Sequence, residues 1–133
     1  MVVNLTKNNE MVFGRPAIIS NLPPISASSY QIQRFMGKLL GIHTDSNLSW
    51  HTHVEAIVSK ATQRLYFLKQ LKRVWVPRAH LLHFYISVIH PALEYAVLVW
   101  CQLLTKTQTD SIESVQKRAL HIIYLFSSHI VTL

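Results

Sequence analysis

The chain has 133 residues, of which 50% are hydrophobic and only 14% charged; this is too apolar for a disordered polymer and long enough for one domain with its own core. With 13 Lys and Arg against 6 Asp and Glu the formal net charge is +7, a balance that favours a polyanionic partner such as nucleic acid or an acidic membrane. The single cysteine, Cys101, excludes an internal disulfide, and no long apolar signal-peptide core opens the chain, so an intracellular location is expected.

In residues 2–13 two short apolar runs flank Thr6, Lys7, Asn8 and Asn9, a pattern for a β-hairpin or paired strands. Residues 14–29 hold Gly14, Pro16, Pro23, Pro24 and four serines and read as a loop. A strand through Leu39, Leu40 and Ile42 follows. The first helix is predicted from Trp50 or Thr52 to about Val74. Thr52 and Glu55 have capping-box spacing, and Val54, Ile57, Val58, Ala61, Leu65 and Leu68 share one face. Lys60 and Arg64 lie one turn apart on one flank of that face, Lys69 and Arg73 on the other. Pro77 or Arg78 opens a second helix, in which Pro91 removes a hydrogen bond and introduces a kink. From Leu81 to Leu104 it is apolar nearly all round, which predicts the most buried helix. In the last helix Asp110 is the candidate N-cap, with Glu113 three residues on. Ile112, Val115, Ala119, Ile122, Ile123 and Phe126 share its apolar face. The fold class is therefore α+β and mostly α: a small β-hairpin region, then a three-helix bundle.

Several phrases stand in a fixed order. Lys7, Glu10-Met11-Val12-Phe13 and Gly14-Arg15-Pro16 come first, then Lys38-Leu39-Leu40-Gly41-Ile42, Leu48-Ser49-Trp50 and His53-Val54. Gln63-Arg64-Leu65-Tyr66-Phe67-Leu68-Lys69-Gln70-Leu71, His90-Pro91-Ala92-Leu93-Glu94-Tyr95-Ala96, Trp100 and Ile112 to Leu120 complete the series. Together they resemble the C-terminal, primer-grip and thumb-like part of a jockey-type non-LTR (LINE-like) retrotransposon reverse transcriptase. Leu98 and Cys101 depart from that pattern, and the resemblance stops after Tyr124. It implies that residues 1–48 are the remnant of a palm end with a primer-grip-like hairpin, 49–126 a thumb-like helical domain, and 127–133 a tail outside the family. It further implies a truncated RNA-directed DNA polymerase fragment whose parent positions an RNA/DNA template-primer. Lys38, Leu40 and Gly41 would contact the primer; Lys60, Arg64, Lys69 and Arg73 would follow the phosphates.

The parent chemistry needs two Mg²⁺ ions held by converging carboxylates. Only Asp45 and Asp110 are present, far apart and each next to a predicted helix start, so capping or turn roles are expected for them. No catalytic residue, no metal ligand and no cofactor is expected of this chain, which is read as a non-enzyme.

Other readings rest on narrower signals. His43-Thr44-Asp45 has the His-x-Asp spacing of non-haem iron dioxygenases, and segments like this one also resemble the N-terminal region of AlkB-homologue proteins, which are tRNA-modifying enzymes. A dioxygenase core, however, needs a strand-rich barrel, for which there is too little strand-like sequence. His51, His53, His80 and His83 lack the cysteine pair of a strong zinc signal. The run from Leu81 to Leu104 is long enough to cross a bilayer, but His83, His90, Pro91, Glu94 and Gln102 oppose a stable span. Most of the aromatic residues have core spacing; Tyr66 falls on the polar face, where a base can stack. A non-catalytic interaction or structural relic that binds other proteins or itself is the competing class.

Overall fold

The structure, a computed structural model, describes residues 4–124 and is about 60% helical with small strand pairs, the mostly-α α+β class expected. It divides into two compact units, Met1–Thr52 and His53–Leu133. Each unit is held together internally by different forces.

In the first unit every strand is two residues long. β1 (Asn9–Glu10) pairs in parallel with β4 (Gln33–Arg34), β2 (Ser26–Ala27) antiparallel with β3 (Tyr30–Gln31), and β5 (Lys38–Leu39) antiparallel with β6 (Ile42–His43). So few ladder bonds cannot hold a fold. The fastening is polar. Glu10 is buried and accepts from the Arg34 Nε at 2.6 Å and from the Ile25 amide at 3.0 Å. The remaining guanidinium nitrogens of Arg34 donate to the carbonyls of Ile19 at 3.2 Å and Leu22 at 3.1 Å. The Ile25 amide, then the Arg34 guanidinium, holds the Glu10 carboxyl below its ordinary range.

The expected N-terminal hairpin is not formed among the described residues; Val2 and Val3 lie outside them. Asn4 Oδ1 accepts from the amide and hydroxyl of Thr6 at 3.2 and 2.6 Å, and this side-chain turn winds Leu5–Lys7 into a 3₁₀ turn. Residues 14–29 are mostly loop, but Pro16 starts a short helix, α1 (Pro16–Ile19). The strand expected through Leu40 is interrupted there: Leu40 and Gly41, at φ +48 and +85, form the two-residue turn between β5 and β6.

The second unit is built from helices. α2 (His51–Arg73) buries Val54, Ile57, Ala61, Leu65 and Leu68, the stripe read from the sequence. It begins before Thr52, so the expected capping box there is replaced by a helix start one residue earlier. It ends in a Schellman-type turn, in which the Val76 amide reaches back to the Leu71 carbonyl at 3.2 Å and Trp75 takes the left-handed position at φ +62.

The expected second helix is broken into pieces. α3 (Arg78–Phe84) runs into a π turn, Tyr85–Ile89, then α4 (His90–Glu94); Tyr95 and Ala96 break the path before α5 (Val97–Trp100) and a 3₁₀ turn, Cys101–Leu103. Pro91 lacks the amide, and its ring would clash with the carbonyl four residues back; the wide π turn makes room for it. Ala96 is left-handed at φ +52, and the Trp100 indole donates to the Tyr95 carbonyl at 2.9 Å, closing the break. Leu81, Tyr85, Ile89, Leu93 and Trp100 are buried, but Ile86, Leu98, Val99 and Leu103 are exposed. The expectation that this is the most buried helix therefore fails: one stripe is inside. By length and composition alone Arg78–Leu103 is apolar enough to cross a membrane.

α6 (Lys106–Tyr124) starts earlier than expected. Thr105, not Asp110, caps it: Thr105 Oγ1 accepts from the Gln108 amide at 3.3 Å, and Gln108 Oε1 accepts from the Thr105 amide at 2.9 Å. That is a reciprocal capping box, and Asp110 is an exposed residue inside the helix. Val115, Ala119 and Ile123 are buried and complete a core with Leu65, Leu68, Leu81, Tyr85, Ile89 and Leu93; Phe126 lies outside the described residues.

Candidate nucleic-acid interface

Two grooves flank α2, because the helix presents opposite sides to α6 and to α3. The larger, about 660 Å³, lies between α2 and α6. Thr62, Leu65, Tyr66 and Lys69 line it from α2, and Lys117, Arg118, His121 and Ile122 from α6. The spacing explains the grouping: Thr62 with Tyr66, Leu65 with Lys69, Lys117 with His121 and Arg118 with Ile122 are each four residues apart and stack on one face of their helix. Leu65 and Ile122 make an apolar floor, and the cations stand on both rims.

Tyr66 is 59% exposed, with Phe67 against its edge at a ring-centroid distance of 5.9 Å. An accessible ring among cations is the pairing that single-stranded nucleic acid uses, bases stacking on the ring and phosphates meeting the charges. Lys117 also holds Glu113 at 3.1 Å on the exposed face, so its charge is partly matched already. The wall of α6 is fixed at its end: Lys72 Nζ donates to the Ile123 carbonyl at 3.2 Å, and the Arg78 guanidinium lies 5.4 Å from the Tyr124 ring centre.

The residues singled out from the sequence fall in both units. Lys38, Leu40 and Gly41 belong to the β5–β6 hairpin of the first unit. Lys60, Arg64, Lys69 and Arg73 are all on α2, yet only Lys69 lines the basic groove. Lys60 and Arg73 are exposed elsewhere on the helix. Arg64 is half-buried and donates from Nη1 to the Val88 carbonyl in the π turn, a structural contact. Lys117, Arg118 and His121, which the sequence reading does not single out, also line the groove; the Lys117–His121 spacing beside Ile122 is the available signal.

The His-x-Asp motif does not form a metal centre. Asp45 accepts from the hydroxyls of Ser46 at 3.3 Å and Ser49 at 3.1 Å in the turn before α2. Among the described residues no three His, Cys, Asp or Glu side chains converge on a point where a metal could sit. His53 is buried with its ring 5.4 Å from that of Trp100, and so serves the core.

Residues 50–90 match the family described as alkylated DNA repair protein alkB homolog 8, N-terminal. No curated protein and no solved structure matches the chain. The matched segment covers α2, α3 and the π turn, under a third of the chain. It is not a reverse transcriptase domain, and this overturns the reverse-transcriptase and retrotransposon reading, together with its palm and thumb assignments. The phrases that suggested it have local explanations: Lys38 to Ile42 is a two-residue-turn hairpin, Gln63 to Leu71 and Ile112 to Leu120 are amphipathic helix, and His90 to Ala96 is the helix break after Pro91.

Proposed function

We propose that the helical unit is a non-catalytic nucleic-acid-binding module of an AlkB-homologue-like RNA-modification system, engaging single-stranded RNA in the groove between α2 and α6. The observation that carries this reading is the exposed Tyr66 ring set between Lys69 on one rim and Lys117, Arg118 and His121 on the other. The match of residues 50–90 to the alkB homolog 8 N-terminal family supports the nucleic-acid class of partner. The module holds the strand; chemistry is assigned to a separate catalytic domain, because neither the two-residue strand pairs nor the histidines and carboxylates of the described residues provide a metal triad.

Binding of this kind weakens with salt. Three phosphate contacts, through Lys69, Lys117 and Arg118, give a slope of log K against log salt of about −2 for a single strand. Fluorescence anisotropy of the full chain with a labelled single-stranded RNA, across a salt series, tests this. Affinity that does not fall with salt, or an equal preference for duplex of the same sequence, would reject the groove as a single-strand site.

A further inference from the structure

The other flank of α2 carries a second groove of about 530 Å³, and its chemistry differs. Arg64, Phe67, Gln70, Leu71 and Val74 line it on one side, Phe84 and Val88 on the other. Lys60, Arg64, Phe67, Leu71 and Val74 recur at alternating spacings of four and three, the seam along which one helix packs on another. Phe84 and Val88, four apart, form the facing ridge. α2 thus has two seams. One is buried in the core, and the other is open over its C-terminal half, where Phe67 is 58% and Val74 69% exposed.

The end of the seam is held open at a conformational cost. Trp75, next after Val74, occupies a left-handed position at φ +62 and is 76% exposed. A bulky side chain there costs about 1–2 kcal/mol relative to the right-handed region, where glycine would stop the helix without strain. Two large apolar side chains are therefore turned into water where the seam finishes.

Charge selects the occupant. No acidic residue occurs between Glu55 and Glu94, so the charges along and just beyond the seam, Lys60, Arg64 and Arg78, are all positive. A second copy of this chain, itself at +7, is repelled. A polyphosphate strand meets an apolar floor and an arginine, Arg64, already committed to the Val88 carbonyl. We infer that this groove docks an amphipathic helix of a partner protein, with apolar side chains at four-three spacing inserted between Phe67 and Phe84 and a flanking Asp or Glu meeting Lys60. The inference is independent of the RNA reading, since the two grooves share no lining residue.

The experiment titrates the full chain with a designed amphipathic helix about four turns long, Leu at four-three spacing and Glu on both flanks. Comparators are the same helix with Lys for Glu and the same helix with Ser for Leu. The Leu/Glu helix is expected to bind, each comparator at least about tenfold more weakly. Phe67→Ser should weaken binding about tenfold with the helical circular dichroism unchanged, and Val74→Ser, at a site still more exposed, serves if Phe67→Ser fails to fold. Lys60→Glu should reverse the preference between Glu and Lys flanks. Equal binding of the Lys-flanked helix would overturn the inference. So would Phe67-dependent self-association, Phe67-dependent binding to phosphatidylglycerol vesicles, or displacement of the peptide by single-stranded RNA.

Discussion

The two grooves beside α2 share a helix yet differ in chemistry. On the α6 side Lys69, Lys117, Arg118 and His121 surround one exposed ring; on the α3 side Phe67, Leu71, Val74, Phe84 and Val88 leave little that is polar. The difference shows that the charge of α2 belongs to its faces and not to the helix as a whole. Its basic residues are distributed around the circumference, and they meet different surroundings: Lys69 meets more cations from α6, whereas Arg64 meets the carbonyl of Val88. A basic side chain of α2 is therefore left open to solvent on one side and tied into the structure on the other.

The most disruptive way to break the comparison is through the residue both sides depend on. Leu68 is fully buried in the core from which both grooves rise. Leu68→Ala is expected to cost about 2–5 kcal/mol, read from urea unfolding followed by circular dichroism, and to weaken RNA and peptide binding together. A loss under about 1 kcal/mol would mean the helices do not share one cooperative core.

Arg64 separates the flanks more finely. Arg64→Met keeps the apolar stem and removes the donor to Val88, which should destabilise the π turn by about 1–3 kcal/mol and leave the salt slope of RNA binding as it was. A shallower slope in this variant would return Arg64 to the phosphate-binding side. Tyr66→Ala is the reciprocal change. At 59% exposure it should hardly alter stability, yet it should cost about 1–3 kcal/mol of RNA affinity if a base stacks there, with peptide docking unaffected.

Much of this arrangement was legible in the sequence wherever local periodicity decides the outcome. The 3.6-residue period gave the buried stripe of α2 and placed Tyr66 outside it. What was not legible depends on contacts between elements. Nothing in the string shows that Lys69 faces Lys117 and Arg118, or that Arg64 turns to Val88, because those pairs are separated by helix packing. Pro91 announced a disturbance, but whether the chain kinks or widens into a π turn depends on how the Leu81, Tyr85, Ile89 and Leu93 stripe must meet the core. At the start of α6 the signal is present in the sequence: Thr105 and Gln108 have capping-box spacing, as Asp110 and Glu113 do, and local spacing alone does not choose between them. The phrase order that resembled a reverse transcriptase consisted of hairpin and amphipathic-helix patterns, which many folds share.

Single charges give smaller effects on the basic flank. Lys69→Gln and Arg118→Gln should each reduce the salt slope by about 0.7 without changing peptide docking, and the double variant should reduce it by the sum if the two meet different phosphates. An undiminished slope in both would place the phosphates outside this groove.

The smallest effect expected at either groove comes from the first unit, which serves as an internal control. Its fastening is the Glu10 carboxylate between Arg34 and the Ile25 amide, and neither groove contains these residues. Because the folded pKa of Glu10 lies below its ordinary value, its stabilising contribution is fully present above about pH 4.3, the unfolded carboxylate value. It is lost as pH falls through the lower, folded value, where the protonated acid no longer matches the guanidinium. Glu10→Gln should remove that acid dependence from the first unit, and at neutral pH amide exchange should quicken around Ile25 and Arg34. The salt slope of RNA binding and the affinity of the acidic helix should both stay as in the parent chain. A change in either would show that the difference between the flanks of α2 is not set by the helical unit alone.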